Sequence, residues 1–357
     1  IFEISKKQGI RSVDKICHRM ELGKDTYTLG KIRPEMEEEL CRVLADFVRI
    51  MEGYRVDAYR AMASSAISEA ANSLYVLGKI RQLTGLSVTV LSNSEQRFLG
   101  YKALAAMEDN FNKIIEKGTA ILDLDGGSFQ ISLFDKDALV TTQNIRMGSL
   151  RIRERLAGIQ SETEHYEEMV EELIWNEVSS FKKMYLKDRK IENIMLIGDV
   201  FTDSVYQNIE EKTTKIISRE NFNTWYEKII RQSPMELAVK LGIPLENASL
   251  MYPSAVIYKC LIDMMGAEHI WIPGVHMTRG IAYEYAEQMK LLKGGHNFEN
   301  DILMAAKNIG KRYAVNRPHV QNLEMTALAM FDATKKMHGM KAVSYTHLRA
   351  HETSLHL

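Results

Sequence analysis

Two acids, two glycines and a hydroxyl occur together in the segment Asp123-Leu124-Asp125-Gly126-Gly127-Ser128. An apolar run precedes the segment and an apolar–polar alternation follows it, which predicts two strands joined by a bend. Asp-Gly is a preferred type I′ hairpin pair, so a plain turn is one explanation. Amides freed of side chains can instead form an anion-binding nest, to which Ser128 adds a hydroxyl. Asp123 could then hold a hydrated magnesium ion.

Two further segments place polar residues between a strand and a helix. In AMASSAISEAAN, small residues allow amides at the helix start to face an anion, although Ser64 or Ser65 could equally be an N-cap. In VLSNSEQRFLG, Glu95 and Gln96 occupy the first helical turn and could lie over a cleft. An N-capping acid is the structural alternative there. Each segment alone therefore leaves capping and chemistry both open.

The surrounding elements predict two α/β halves. Residues 119–146 have the pattern of three antiparallel strands, and IENIMLIGDVF that of a buried strand. A helix is expected from Pro34 and another from about Glu95, and from about Asn297 the pattern is all-helical. A pattern of antiparallel hairpins followed by α/β units occurs twice along the chain. This repetition indicates two similar lobes with a cleft between them.

Composition narrows the classes of partner. The chain has 357 residues, of which 45% are hydrophobic and 26% charged, as in ordinary soluble proteins of two or three domains. A net charge of -1 provides no basic field for nucleic acid or for an anionic membrane surface. No apolar run of about 18 residues indicates a membrane span. The three cysteines form no CxxC pair, so we expect a cytoplasmic protein.

Several segments match a known set of patterns in order and spacing. Residues 63–72 are similar to A-T-x-A-x-R-x-A-x-N, residues 92–97 to S-G-x-x-E-A, residues 123–130 to D-I-G-G-G-S-x-E, and residues 147–154 to L-G-x-x-R-L-x-E. With ASLMYPSAVIYKCLIDMMGAEHIWIPG further on, the chain resembles the exopolyphosphatase and guanosine pentaphosphate phosphohydrolase family. That family lies within the actin-like ATPase and sugar kinase superfamily.

The resemblance implies two actin-like (ribonuclease H-like) α/β lobes with a cleft between them, followed by the start of an all-helical domain. We assign residues 1–118 to the first lobe, 119–293 to the second, and 294–343 to the helical domain, where His319 is expected to be a helix residue without a working metal site. Residues 344–357 are expected to be a non-native tail. The family's first phosphate loop would precede Ile1, so we expect a fragment that lacks this loop and most of the helical domain.

The resemblance also implies a reaction, namely release of orthophosphate from the end of inorganic polyphosphate or from guanosine pentaphosphate. Attack by a positioned water would be assisted by Mg²⁺ or Mn²⁺. The catalytic position falls on Gln96, with Glu95 beside it, and the metal positions fall on Asp123 and Gln130. The phosphate-binding positions are Ser64, Ser65, Asp125, Gly126, Gly127, Ser128 and Gly198. The implied ligands are polyphosphate and guanosine penta- or tetraphosphate, and a homodimer stays open.

Departures from the family patterns bear on activity. The family arginine corresponds to Ser68, the second acid of the hairpin to Gln130, and the middle glycine to Asp125. The family glutamate corresponds to Gln96, and an amide cannot take a proton, although it can orient a water. Asp199 stands where the family has a second glycine. Two functions therefore remain: a phosphohydrolase, and a protein that binds and senses polyphosphate or a nucleotide without turnover. A sugar kinase is disfavoured, since no sugar site is evident.

Overall fold

The computed structural model describes residues 1–107, 111–136, 138–157, 166–187, 189–198, 200–208, 216–292 and 298–338. Asp199 and the expected tail at 344–357 lie outside these ranges. None of the helices within them combines the length and the apolar character that crossing a membrane requires.

The first lobe has two small sheets and the helices around them. Its elements are β1 (Phe2–Ser5), β2 (Gly9–Ser12), α1 (Leu22–Leu29), α2 (Pro34–Tyr54), β3 (Ala61–Ala63), α3 (Ser65–Ser68), α4 (Ser73–Thr84), β4 (Val88–Val90), α5 (Asn93–Met107) and α6 (Phe111–Ile115). β1 and β2 pair antiparallel, and β3 and β4 pair parallel. Helix α2 begins at Pro34, as predicted, because proline suits a first helical position. Helix α5 begins at Asn93, slightly earlier than expected.

The second lobe is built on a six-stranded sheet. Its elements are β5 (Thr119–Leu124), β6 (Phe129–Asp135), β7 (Ala138–Ile145), α7 (Ser149–Leu156), α8 (Tyr166–Phe181, continued by a π-helical turn at Lys182–Leu186), β8 (Asn193–Ile197), α9 (Val200–Asn208), β9 (Ile216–Ser218), α10 (Arg219–Ile230), α11 (Pro234–Leu241), α12 (Leu245–Met265), β10 (His269–Trp271) and α13 (Met277–Gln288). The strand order is β7-β6-β5-β8-β10-β9. An antiparallel β7-β6-β5 meander continued by parallel β8 and β10 confirms the expected ribonuclease H-like lobe.

The two faces of the large sheet bury separate cores. Successive side chains of a strand point to opposite faces, so Leu122 and Leu124 of β5 join the core that contains much of α12. Ile121 joins the second core, which α5 and α6 cover. Asp123 has the same parity as Ile121. The strand period therefore places its carboxyl group on the face that α5 covers.

Helices α5 and α13 pack closely against each other. A Cβ at Gly280 would collide with the carbonyl group of Leu99, so only glycine allows this approach. Buried Lys102 of α5 forms ion pairs with Glu287 at 2.7 Å and with Glu284 at 3.6 Å, both on α13. Side chains of α5 and α6 also contribute to the core of the second lobe. The domain boundaries at 118 and 293 stay predictions.

The chain continues in helices, as the sequence predicts beyond residue 297. They are α14 (Phe298–Arg312), α15 (Arg317–Ala333) and α16 (Lys335–His338). Helix α14 lies along β7, the edge strand of the large sheet. His319 lies in the first turn of α15, where its amide donates to the capping side chain of Asn316 at 3.2 Å. Within the described ranges, no group of three or more His, Cys, Asp or Glu side chains could hold a metal ion.

Candidate functional site

The bend at residues 125–128 lies against the first lobe. A Cβ added to Gly127 would collide with the hydroxyl of Tyr27 and lie 2.9 Å from Ser65 Oγ. These two hydroxyls are themselves hydrogen-bonded at 2.9 Å. Tyr27 belongs to α1 and Ser65 to α3, so the glycine bend of the second lobe meets two elements of the first. The bend therefore packs between the two lobes and does not lie on an outer surface.

The reason for the two glycines differs from the one the sequence suggested. A type I′ turn at the Asp-Gly pair requires positive φ at both central residues, but none of Asp125, Gly126 and Gly127 has a positive φ. The type I′ prediction is wrong. Instead, Gly126 and Gly127 lack side chains because neighbours fill the space: Leu150 Cβ lies 3.2 Å from the Cβ position of Gly126, and Tyr27 occupies that of Gly127. Packing against α7 of the same lobe therefore selects glycine at position 126, and packing between the lobes selects it at position 127.

Substitution of Gly127 tests this explanation. We expect Gly127→Ala to lower the free energy of unfolding by about 1–3 kcal/mol, because the added methyl group overlaps Tyr27 and Ser65. Gly78 in α4 is the matched control, since a Cβ there meets nothing within 4 Å. Gly78→Ala should raise the free energy of unfolding by roughly 0.5–1 kcal/mol, because alanine has a higher helix propensity than glycine. Urea unfolding of both variants provides the measurement, and equal effects would contradict the packing explanation.

The bend has four backbone amides, at residues 125–128, and two of them donate hydrogen bonds within the bend. The Asp125 amide donates to the Ser128 carbonyl at 2.9 Å, and the Gly126 amide to Asp125 Oδ1 at 2.7 Å. Within the described residues, the amides of Gly127 and Ser128 donate no hydrogen bond. Neighbouring donors without an acceptor are one feature of an anion-binding site made of backbone amides.

Asp123 lies beneath this bend in a restricted space. A Cβ at Gly100 of α5 would lie 3.6 Å from Asp123 Oδ2, and one at Gly198 would collide with Asp123 Oδ1. Gly198 follows β8 and has φ +97°, a conformation that L side chains rarely adopt. Burial, together with the charge of Asp125, raises the pKa of Asp123 to about 7, while Arg97 lowers it. Within the described chain, no donor hydrogen-bonds to this carboxylate.

Gln130 lies beside Asp123 on the same face, because the two residues are paired in register across β5 and β6. Its Oε1 is buried and accepts no hydrogen bond within the described part of the chain. An acceptor buried without a donor costs free energy unless water or a cation satisfies it. Hard divalent cations prefer oxygen ligands. Asp123 and Gln130 therefore fit the expected magnesium or manganese site.

Glu95 and Gln96 have different environments. The Glu95 carboxylate accepts from the amide and the hydroxyl of Ser92, both at 2.8 Å, and the Glu95 amide donates back to Ser92 Oγ at 3.2 Å. This reciprocal pair is a capping box, the structural alternative that the sequence left open. Gln96 instead donates from Nε2 to Asp125 Oδ2 at 3.2 Å. Of the two candidates for catalysis, Gln96 is the one that contacts the bend.

In the AMASSAISEAAN segment, one serine contacts the bend and another caps a helix. Ser65 is buried and contacts the bend, whereas Ser64 is the N-cap of α3 and accepts through its backbone carbonyl, without a side-chain capping bond. Ser68 is exposed. The next residue, Glu69, pairs with two arginines of the second lobe, Arg146 at 2.5 Å and Arg151 at 2.9 Å.

Sequence reasoning missed Arg151 and Tyr27. Arg151 Nε donates to the Gly127 carbonyl at 2.9 Å, and its guanidinium lies over the Tyr27 ring at 4.2 Å. Burial raises the pKa of Tyr27, so its hydroxyl stays protonated. The only available signal for Arg151 was its place in the segment that resembles L-G-x-x-R-L-x-E. Tyr27 had none, since its contact with the bend arises only when the lobes pack together.

A family model described as the Ppx/GppA phosphatase family matches residues 1–289. The chain is also similar to the bifunctional 3-dehydroquinate synthase/phosphatase of Fusobacterium nucleatum subsp. nucleatum, with 20% identity over 283 residues. That alignment covers 73% of this chain but only 40% of the relative, so the chain spans well under half of the relative's length.

Two solved structures share the fold. An exopolyphosphatase from Cytophaga hutchinsonii matches with a TM-score of 0.72 at 15% identity, over 82% of this chain and 95% of that chain. The Aquifex aeolicus member of the Ppx/GppA family matches with a TM-score of 0.59 at 16% identity, over 75% of this chain and 87% of that chain. At such identities the likeness establishes a common two-lobed fold.

Proposed function

Because the chain belongs to the Ppx/GppA phosphatase family, we propose that it releases orthophosphate from the end of inorganic polyphosphate or from guanosine pentaphosphate. The observation that carries the proposal is the convergence of three distant segments at one bend. Ser65 lies against Gly127, and Gln96 is hydrogen-bonded to Asp125. Residues far apart in sequence thus surround a bend whose amides can bind an anion.

Binding of the terminal phosphate is assigned to the bend itself. The amides of Gly127 and Ser128 donate to no acceptor in the described chain, so they can donate to phosphate oxygens. The Arg151 guanidinium is held at the same place by the Gly127 carbonyl and by Glu69. Fixed donors of this kind stabilise developing negative charge without reorganisation, which is the main contribution to phosphoryl transfer.

Asp123 and Gln130 would hold a magnesium or manganese ion. When bound, such a cation offsets the negative charge of the phosphate oxygens. The buried Oε1 of Gln130, which accepts no hydrogen bond from the part of the chain that the structure describes, supports this assignment.

Gln96 is assigned the task of orienting the attacking water. Its Nε2 donates to Asp125, which leaves Oε1 to accept a hydrogen bond from water. The water oxygen bonds to the terminal phosphorus while the bond from that phosphorus to the bridging oxygen breaks. The water proton passes to a phosphate oxygen, the shortened chain leaves with the bridging oxygen, and orthophosphate is released. Glutamine can position water in this way without acting as a base. Turnover is therefore expected to be slow, because no proton acceptor stands at position 96.

The test is release of orthophosphate from polyphosphate in the presence of Mg²⁺, with guanosine pentaphosphate compared separately. We expect measurable release, reduced about 100-fold in Asp123→Ala through loss of cation binding. Asp46→Ala is the control, since the Asp46 side chain is half-exposed on α2 and pairs with Arg49 three residues along the same helix. Equal rates for wild type and Asp123→Ala would contradict the proposal.

A second candidate function is a protein that binds and senses polyphosphate or a nucleotide. The Gln96–Asp125 contact favours it, because the position that faces the bend carries an amide and no base. Tight binding of polyphosphate with no orthophosphate release would support this function instead. A cytoplasmic location, the absence of a nucleic-acid partner and a homodimer stay predictions from the sequence.

A further inference from the structure

Two buried side-chain carbonyl oxygens belong to neighbouring residues of the sheet beside Asp123. Gln130 and Asn144 are paired in register across β6 and β7. Both Gln130 Oε1 and Asn144 Oδ1 are buried and accept no hydrogen bond within the described residues. Since Asp123 is paired with Gln130 on its other side, three side-chain oxygens form a row across three strands. No donor in the described chain satisfies this row.

The next row of the same sheet face differs. Ser132 and Thr142 are also paired across β6 and β7, and their hydroxyls lie 3.0 Å apart. Helix α5 supplies donors to this row, because Tyr101 donates to Ser132 and Arg97 donates to Thr142. The donors of α5 therefore satisfy one row and leave the row nearer the bend without any. This contrast within one layer indicates that the unsatisfied row faces something other than protein.

We propose that Asn144 and Gln130 accept hydrogen bonds from the water shell of a divalent cation that Asp123 binds. The inference rests on the proposed function for the presence of the cation; it assigns Gln130 to the outer shell of the cation and adds Asn144 there. Acceptors without donors match coordinated waters, which can only donate. Mg²⁺ keeps several waters when bound, whereas Ca²⁺ takes six to eight direct oxygen ligands. A single carboxylate with two outer amides therefore favours Mg²⁺ over Ca²⁺.

The test measures binding of Mg²⁺ alone to the full chain by titration calorimetry. We expect Asn144→Leu to weaken Mg²⁺ binding by about 10- to 100-fold, as loss of an outer-shell partner does elsewhere. In EDTA the same variant should melt at the wild-type temperature or above, because it removes an unsatisfied buried acceptor. Asn144→Asp, which adds a charge to the outer shell, should instead tighten Mg²⁺ binding. Gln143→Leu is the control, since Gln143 lies on the opposite face of β7.

Unchanged Mg²⁺ affinity in Asn144→Leu, or no Mg²⁺ binding by wild type, would overturn the inference. A lower melting temperature of Asn144→Leu in EDTA, together with unchanged Mg²⁺ affinity, would also overturn it. That result would mean that the side-chain amides of Gln130 and Asn144 bond to each other. Because the titration contains no substrate, its outcome is separate from turnover. A chain that binds Mg²⁺ with the expected dependence on Asn144 but releases no phosphate would retain this inference and lose the proposed hydrolysis.

Discussion

Combined replacement of Gln96 by glutamate and Asp125 by glycine is expected to accelerate orthophosphate release from polyphosphate by about 100-fold or more. A positioned proton acceptor contributes that much to transfers of this kind. The side chain at position 96 already reaches the bend, where Nε2 lies 3.2 Å from Asp125 Oδ2. A carboxylate introduced there would lie where the amide now orients a water. Initial rates with saturating Mg²⁺ provide the measurement.

Gln96→Glu alone should produce a much smaller increase. It would place two carboxylates in hydrogen-bonding distance, and like charges this close cannot both stay ionised. The amide at position 96 and the acid at position 125 are thus matched to each other in this chain. That match explains why both depart from the family pattern together.

Glu95→Gln is the matched control for this experiment. Glu95 is the neighbouring residue, but its carboxylate caps α5 through Ser92. We expect loss of about 1 kcal/mol in the free energy of unfolding and less than about a twofold change in rate. A double variant that releases phosphate no faster than wild type would show that position 96 does not limit turnover.

The sequence predicts the elements around the site better than the contacts between them. The apolar run before the bend predicts β5, and the apolar–polar alternation after it predicts β6 and β7. The spacing of Ser92 and Glu95 likewise predicts the capping box that the structure contains. These are local interactions, and their partners lie within a few residues.

Contacts that form only when the lobes pack are not predictable in this way. The sequence offers turn geometry as the reason for glycine at position 127, whereas in the structure the Tyr27 hydroxyl of the first lobe fills the space of a side chain there. Nothing in the sequence Thr141-Thr142-Gln143-Asn144 distinguishes Asn144, because its significance depends on the register of β7 against β6. Burial without a donor is a property of the assembled sheet.

Asp123→Asn is expected to change both the free energy of unfolding and the binding of Mg²⁺ by a large amount. Burial and the nearby charge of Asp125 raise the pKa of Asp123 from 3.8 to about 7. A carboxyl group with a raised pKa in the folded state binds its proton more tightly there than in the unfolded chain. Its stabilising contribution is therefore complete below pH 3.8 and is lost as the pH rises through about 7.

In EDTA at pH 8, Asp123→Asn should therefore be more stable than wild type, by at most roughly 4 kcal/mol. At pH 4 the two proteins should unfold with nearly equal free energies, because the wild-type group is then neutral in the folded state. Urea unfolding at the two pH values measures both differences. Asp135→Asn is the control at the far end of β6, where Asp135 pairs with Arg189 at 3.3 Å. Asp135→Asn should alter the free energy of unfolding by less than about 1 kcal/mol.

Mg²⁺ should narrow the difference in stability between the two proteins at pH 8. A ligand present at 100 times its dissociation constant stabilises the protein that binds it by about 2.7 kcal/mol. Wild type should gain this stabilisation, and Asp123→Asn should gain little, since an amide is a weaker ligand than a carboxylate. The ionised carboxylate that destabilises the fold without a cation is the group that binds one. Equal stabilisation of both proteins by Mg²⁺ would place the cation elsewhere and remove Asp123 from the site.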